Sequence, residues 1–118
     1  MARTAVSPMA TVTLNASGYG MCSISPPSGC RWDLALAAVS TTSVLSASSA
    51  VLSLGSSNGP LTLVDSTYLG NSASSGKVAG SPFYHGVYLW AVWTGGDAGA
   101  LATLQAYGQQ TTNYRGGQ

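Results

Sequence analysis

Charged side chains are nearly missing from this sequence. Its 118 residues include four Lys or Arg, three Asp and no Glu, so that charged residues make up 6% of the chain, against about 25% in an average globular domain. With a net charge of +1, the chain has no basic stripe to neutralise a row of phosphates and no polybasic segment for anionic lipid. We therefore expect neither a nucleic-acid partner nor a membrane partner.

Long apolar runs are missing as well. No segment approaches the roughly eighteen apolar residues of a membrane span, and MARTAVSPMATV has no apolar stretch before Pro8, so no secretory signal is expected. Disorder is not expected either, because 45% of the residues are hydrophobic and they are patterned rather than scattered. The polar surface must then be built from Ser, Thr, Asn, Gln and Gly, which repel other copies weakly and suit an assembly.

The groups that catalysis and metal binding require are also scarce. His85 is the single histidine, and Cys22 and Cys30 are the two cysteines. Neither cysteine sits in a nucleophile motif or a C-x₂-C spacing, no G-x-S-x-G elbow occurs, and the three aspartates lie in separate segments. We predict no catalytic residue, no metal site and no cofactor.

Cys22 and Cys30 flank the turn-forming sequence SISPPSG. If the strands on either side formed a hairpin, the two thiols would face each other and a disulfide could close a short loop. The alternative is a pair of reduced, half-buried thiols from a reducing compartment, and the sequence favours this second interpretation.

Short apolar runs between Gly, Pro and Ser clusters predict an all-β domain. ATVTLNASG, residues 10–18, alternates as a half-buried strand does. RWDLALAAVS, residues 31–40, places Trp32, Leu34 and Leu36 on one face, although its Ala and Leu content also suits a helix.

Two further strands are predicted in AVLSLG and LTLVD, joined by a tight turn at Asn58 and Gly59. The segment 41–49 is predicted to be a polar loop or a poor strand. The segment 67–86 is rich in Gly and Ser, and a loop of that length in a compact domain indicates either a functional loop or an unrecognised strand.

The most aromatic segment is YLWAVWTGGDAGALATLQAYG, residues 88–108. Its alternation predicts one strand before TGGDAG, a turn there, and one strand after it. Apolar residues occupy both faces of the first strand, which predicts a place in the middle of a sheet with each side covered. On the first strand one face is shared by Val87, Leu89, Ala91 and Trp93 and the other by Tyr88, Trp90 and Val92. On the second strand Ala102, Leu104 and Ala106 are opposed to Leu101, Thr103, Gln105 and Tyr107.

The two ends of the chain lack such a pattern. We predict an N-terminal arm at 1–9, a sandwich domain at 10–108 and a C-terminal arm at 109–118. The fold class predicted is a single-domain antiparallel β-sandwich, or a partly closed barrel, with extended arms. The arm residues predicted to contact neighbouring subunits are Arg3, Met9, Tyr114 and Arg115.

Exposed aromatic rings offer a second kind of surface, because flat rings bind sugars by stacking. Tyr88 and Trp90 lie two residues apart on one strand face, so their rings should be neighbours. With Tyr84 and His85 they are the candidate ligand contacts, although His85 is predicted first as a surface histidine in a polar turn. Trp32 and Trp93 are predicted to be buried.

Three pieces of the sequence carry a resemblance to a known group of proteins: GCRWDL at 29–34, TYLGN at 67–71 and WTGGDAG at 93–99. With them the chain resembles small all-β virion proteins of tailed bacteriophages, of the head-decoration and minor tail type, over most of residues 10–108. These pieces are structural, and the resemblance implies no enzymatic residue.

The resemblance implies a β-sandwich that adds to a protein lattice. On that basis we expect a capsid decoration or cement protein of the virion, assembled in the host cytoplasm. Its partners are expected to be the major capsid protein or other virion proteins together with further copies of itself, a trimer being one arrangement. The alternative expectation is a minor tail or tail-tip protein whose β-sandwich binds carbohydrate.

Overall fold

The computed structural model describes residues 2–42, 49–69, 72–78 and 82–112, and these form two antiparallel sheets packed face to face. The predicted all-β sandwich is confirmed, with two separate sheets rather than a closed barrel. No helix occurs within those ranges. The strands are β1 (Ala2–Val6), β2 (Met9–Thr13), β3 (Gly20–Ile24), β4 (Cys30–Thr41), β5 (Ser49–Ser56), β6 (Gly59–Leu69), β7 (Ser72–Ser75), β8 (Phe83–Tyr84), β9 (Tyr88–Thr94) and β10 (Leu101–Thr112).

The larger sheet has the order β1-β10-β4-β7, with β2 also pairing with β10 and β8 also pairing with β4. The smaller sheet has the order β3-β9-β5-β6. If β1 and β2 count as one strand position and β7 and β8 as another, the chain crosses between the sheets at every connection except the β5–β6 hairpin. This is the connectivity of a jelly roll, which is built from two Greek keys.

Two of these crossings occur at turns that the sequence shows. SISPPSG leads from β3 in the smaller sheet to β4 in the larger one, and TGGDAG leads from β9 in the smaller sheet to β10 in the larger one. No hairpin forms at SISPPSG, so the arrangement that a Cys22–Cys30 disulfide would require is absent. The turn predicted at TGGDAG is present, but it carries the chain across the sandwich rather than back along the same sheet. The hairpin predicted between β5 and β6 is present, with Ser57 and Asn58 in the turn and Gly59 at a φ of 137°.

The core lies between the sheets, and the alternation predicted for β9 and β10 is confirmed. Trp93 is 1% exposed and Trp32 is 5% exposed, so both tryptophans are buried anchors as predicted. The remaining inward residues of β9 and β10 are fully buried: Leu89, Ala91, Ala102, Leu104 and Ala106. β9 is central in its sheet, but its outward face is half-exposed, so the expectation that both faces would be covered is wrong.

A β-bulge changes the predicted face of β4. Trp32 and Leu34 are buried as expected, but Leu36 is only half-buried and Ala37 takes its place in the core. The cause lies in the pairing with β10, where Tyr107 pairs with Leu36 but Gly108 pairs with Leu34. One extra residue on β4 reverses the alternation beyond that point. The helix that the Ala and Leu content also suited does not form.

The segment 67–86 contains strands that the sequence pattern does not show. β6 continues to Leu69, and β7 and β8 both pair with β4 in the larger sheet. Their Ser-rich and two-residue sequences are too short to show a period of two. Of the polar loop predicted at 41–49, residues 43–48 lie outside the described residues.

The two predicted arms pair with each other instead of standing apart. β1 runs antiparallel to the end of β10, with Ala2 opposite Thr112 and Val6 opposite Gly108. The Ala106 N–H donates to the Pro8 carbonyl at 2.9 Å, so the pairing continues between β1 and β2. For residues 2–9 and 109–112 the expectation of unpartnered arms is wrong, while 113–118, with Tyr114 and Arg115, lie outside the described residues.

Candidate assembly surface

The outward face of the smaller sheet carries a group of apolar and aromatic side chains. Because Leu89, Ala91 and Trp93 point into the core, Tyr88, Trp90 and Val92 point outward. The strand register extends this group across the sheet: Val92 pairs with Met21 of β3 and with Val51 of β5, and Ser53 pairs with both Trp90 and Leu63. We call the set Met21, Val51, Leu63, Tyr88, Trp90 and Val92 the aromatic face.

Several of these side chains are open to solvent. Leu63 is 59% exposed and Met21 is 38% exposed, and Leu61 in the adjoining part of β6 is 79% exposed. Ser53, by contrast, is only 8% exposed, because it lies in register between Trp90 and Leu63. A group of exposed apolar side chains on one sheet face typically marks a contact site.

Tyr88 and Trp90 form a ring pair at the centre of this face. Their ring centroids are 6.4 Å apart and the ring planes make an angle of 29°. The Trp90 Nε1–H donates to the Ser56 carbonyl at 2.9 Å, which ties the indole to the end of β5. Both side chains are half-buried, so the pair is held in place before any partner binds.

No charged side chain lies on the aromatic face among the side chains that the structure describes. Three of the charged residues gather on the larger sheet instead. Arg31 Nη2 lies 2.8 Å from Asp33 Oδ1, Arg3 Nη2 lies 4.0 Å from Asp33 Oδ2, and the Arg31 guanidinium lies 5.8 Å from the centroid of the Tyr84 ring. The aromatic face therefore offers a partner apolar contact and hydroxyl groups rather than charge.

The four candidate ligand residues do not form one site. Tyr88 and Trp90 share the aromatic face as predicted, but Tyr84 lies beside Arg31, on the outward side of the larger sheet. His85 is in the turn after β8, with Nδ1 3.2 Å from the Pro26 carbonyl oxygen. A carbonyl only accepts, so Nδ1 carries the hydrogen in that contact.

The two cysteines are free and lie in different sheets. Cys22 Sγ–H donates to the Ala10 carbonyl at 3.6 Å, and Cys30 is buried at the start of β4. Burial raises the pKa of the Cys22 thiol to about 11, and a backbone hydrogen bond with Leu104 lowers it in part. A thiol with that pKa is protonated at neutral pH and is a poor nucleophile. The disulfide alternative is not formed.

Arg3 and Met9 lie on the edge strands of the larger sheet, and Met9 is 61% exposed. Sequence reasoning missed Met21, Leu61 and Leu63 as surface residues. The alternation in LTLVD predicts a strand, but apolar residues occur on both of its faces, so the pattern cannot tell which leucines point outward.

Within the described part of the chain, no three His, Cys, Asp or Glu side chains come together in a group that could hold a metal ion. A membrane-spanning helix is likewise not found there. Comparison with protein-family models finds no match for this chain, and the search of curated proteins finds no relative.

Proposed function

We propose that the protein is a non-enzymatic structural component of a tailed-phage virion, a capsid decoration or cement protein that binds the capsid lattice through the aromatic face. The observation that carries the proposal is an apolar surface with no charged side chain among those that the structure describes, with Leu63 at 59% exposure, on a sandwich of paired strands. Jelly rolls occur in viral capsid domains and in lectins, so the fold alone selects neither role.

The chemistry of the face accounts for binding to a lattice. An apolar surface without charge is stabilised by removing it from water and depends little on ionic strength. A decoration protein meets many equivalent sites, so weak contacts between each copy and the lattice, or between copies, add up through avidity. The partners are the major capsid protein or other virion proteins, together with further copies of this chain.

Paired variants test the face directly. Leu61→Ser with Leu63→Ser removes two exposed leucines, and burying a leucine contributes about 1.5–3 kcal/mol. Losing both should weaken lattice binding by about 100-fold or more, with the folding stability changed by about 0.5 kcal/mol at most. The matched control is Leu101→Ser with Tyr107→Ser, which removes two residues of 49% and 41% exposure from the larger sheet.

Occupancy is measured by incubating each purified variant with particles that lack the protein and counting the copies bound per capsid subunit. We expect the control pair to bind as the unaltered chain does, and binding by the leucine pair to be lost at both low and high salt. Equal binding by the leucine pair would refute the role of this face.

The first measurement to make is the copy number of the protein in purified virions. A ratio near one to the major capsid protein supports decoration, and absence from the particle rejects the virion role.

A second candidate function is carbohydrate binding at a tail or tail tip. The specific observation in its favour is the Tyr88–Trp90 ring pair, whose position on the outward face of the smaller sheet suits stacking against a sugar ring. A few copies per virion, together with glycan binding that is lost in Tyr88→Ala at unchanged thermal stability, would favour this function over lattice decoration.

A further inference from the structure

Strand β1 is held to the sandwich mainly through its backbone. Among the side chains of β1 that the structure describes, Arg3, Thr4 and Ala5 are exposed and Val6 packs partly against the core. Its one ion pair, between Arg3 and Asp33, is 4.0 Å long and its side chains are 61% and 34% exposed. An exposed pair of this kind contributes about 1 kcal/mol or less, so little side-chain energy keeps β1 in place.

A short break separates β1 from the strand that anchors the N-terminus. β2 pairs with Leu101–Gln105 of β10, and the Pro8 carbonyl accepts a hydrogen bond from Ala106. Ser7 and Pro8 lie between the two strands, outside both of them. β1 can therefore turn away at Ser7 while β2 keeps all of its pairs. Proline has no N–H to give to a ladder and is found at such edges.

The position that β1 occupies is suited to accept a strand. It is formed by residues 108–112 of β10, which pair on their other side with residues 30–34 of β4. If β1 leaves, these residues present a row of unpaired N–H and C=O groups, which is a template for another extended segment. A rigid sheet edge of this kind needs no rearrangement before it binds a strand.

We propose that β1 exchanges between copies of this chain, so that Ala2–Val6 of one copy pairs with residues 108–112 of β10 in another. A second copy is the partner that fits, because its β1 restores the same five backbone pairs, brings Arg3 back to Asp33 and returns Val6 to the core edge. Exchange of an identical element costs little, since every interaction that breaks within one copy forms again between the two copies. The proposal concerns self-association and does not depend on the virion role.

Engineered cysteines at paired positions detect the exchange. Ala5 and Gln109 are opposite each other in the register and both are exposed. Directly opposed residues in antiparallel strands have Cα atoms about 4.5–5.5 Å apart, which is within disulfide range. Ala5→Cys protein is mixed with mass-tagged Gln109→Cys protein, incubated, oxidised with diamide, and separated on a non-reducing gel.

We expect a covalent dimer that contains one chain of each variant. Three samples serve as controls. Unaltered protein shows whether the native Cys22 and Cys30 form a covalent dimer by themselves. Ala5→Cys mixed with Thr103→Cys reports on random collision, because Thr103 pairs with Thr11 and not with β1. The double variant Ala5→Cys with Gln109→Cys in one chain reports whether the two positions meet at all.

Each of the other outcomes overturns the proposal. If the mixed variants stay monomeric while the double variant closes within its own chain, β1 remains in the copy it belongs to. If the Thr103→Cys mixture gives dimer at the same yield, the cross-link reflects collision. If the double variant forms no disulfide within or between chains, β1 does not occupy this edge of β10. The assay uses purified protein alone, so its result is separate from that of the virion experiments.

Discussion

At Gly108 the backbone of β10 lies close against that of β4, and replacing this glycine tests the bulge that sets the inward face of β4. A Cβ atom at this position would overlap the Asp33 carbonyl oxygen and lie 2.7 Å from the Leu34 Cα. Both obstructing atoms belong to the backbone of β4, so no side chain can rotate to make room. Gly108→Ala must therefore move one strand relative to the other or break the pairs around the bulge.

The expected cost follows from this geometry. Forcing extra volume into a packed site costs about 1–3 kcal/mol, and obstruction by backbone places Gly108→Ala at the upper end, about 3 kcal/mol. For a domain of this size that loss lowers the melting temperature by about 10 °C. The loss should appear in the free energy of unfolding measured by urea titration and in the thermal midpoint measured by circular dichroism.

The matched control is Gly76→Ala. A Cβ at Gly76 would come within 3.9 Å of the Ala35 carbonyl oxygen, which is ordinary contact. We expect this variant to melt at or slightly above the temperature of the unaltered protein, since alanine restricts the unfolded chain. If Gly108→Ala and Gly76→Ala melt within about 2 °C of each other, the close approach between β10 and β4 is not as described and the reasoning fails.

Three further predictions concern buried and exposed polar groups. The Trp32 Nε1–H donates to Gln110 Oε1 at 2.9 Å, so Gln110→Ala should cost about 1–3 kcal/mol by leaving a buried donor unpaired; a urea midpoint that does not change would contradict this. Because burial raises the pKa of Cys22 from 9.0 to about 11, its alkylation by iodoacetamide should be slow near neutral pH and accelerate as the pH rises towards 11. The unfolded thiol ionises first, so the free energy of unfolding should fall as the pH rises from 9.0 to about 11; labelling as fast as in denaturant would show that the thiol is open. Arg3→Ala should change the free energy of unfolding by less than about 1 kcal/mol, since its pair with Asp33 is exposed; a larger loss in calorimetry would mean that β1 is held more firmly than its contacts indicate.

The candidate surface was predictable in part. Tyr88 and Trp90 could be assigned to one face because residues two apart in a strand share a face. Tyr84 and His85 could not be separated from them by sequence, although they lie only a few residues earlier. The chain crosses from the larger sheet to the smaller one between β8 and β9, and the connecting sequence HGV, residues 85–87, contains no pattern that predicts the crossing.

The sequence by itself determines that this protein is an all-β domain and which residues of β9 and β10 share a face, because the alternation of Leu89, Ala91 and Trp93 is a local property of an extended chain. Tertiary structure alone decides which sheet each strand joins. It also decides that Leu36 leaves the core, since the bulge depends on Gly108, which is distant in the sequence. Tertiary structure alone also decides the position of β1 beside β10. That position rests on backbone pairing, and every residue except proline carries the same backbone N–H and C=O groups, so the sequence does not specify it.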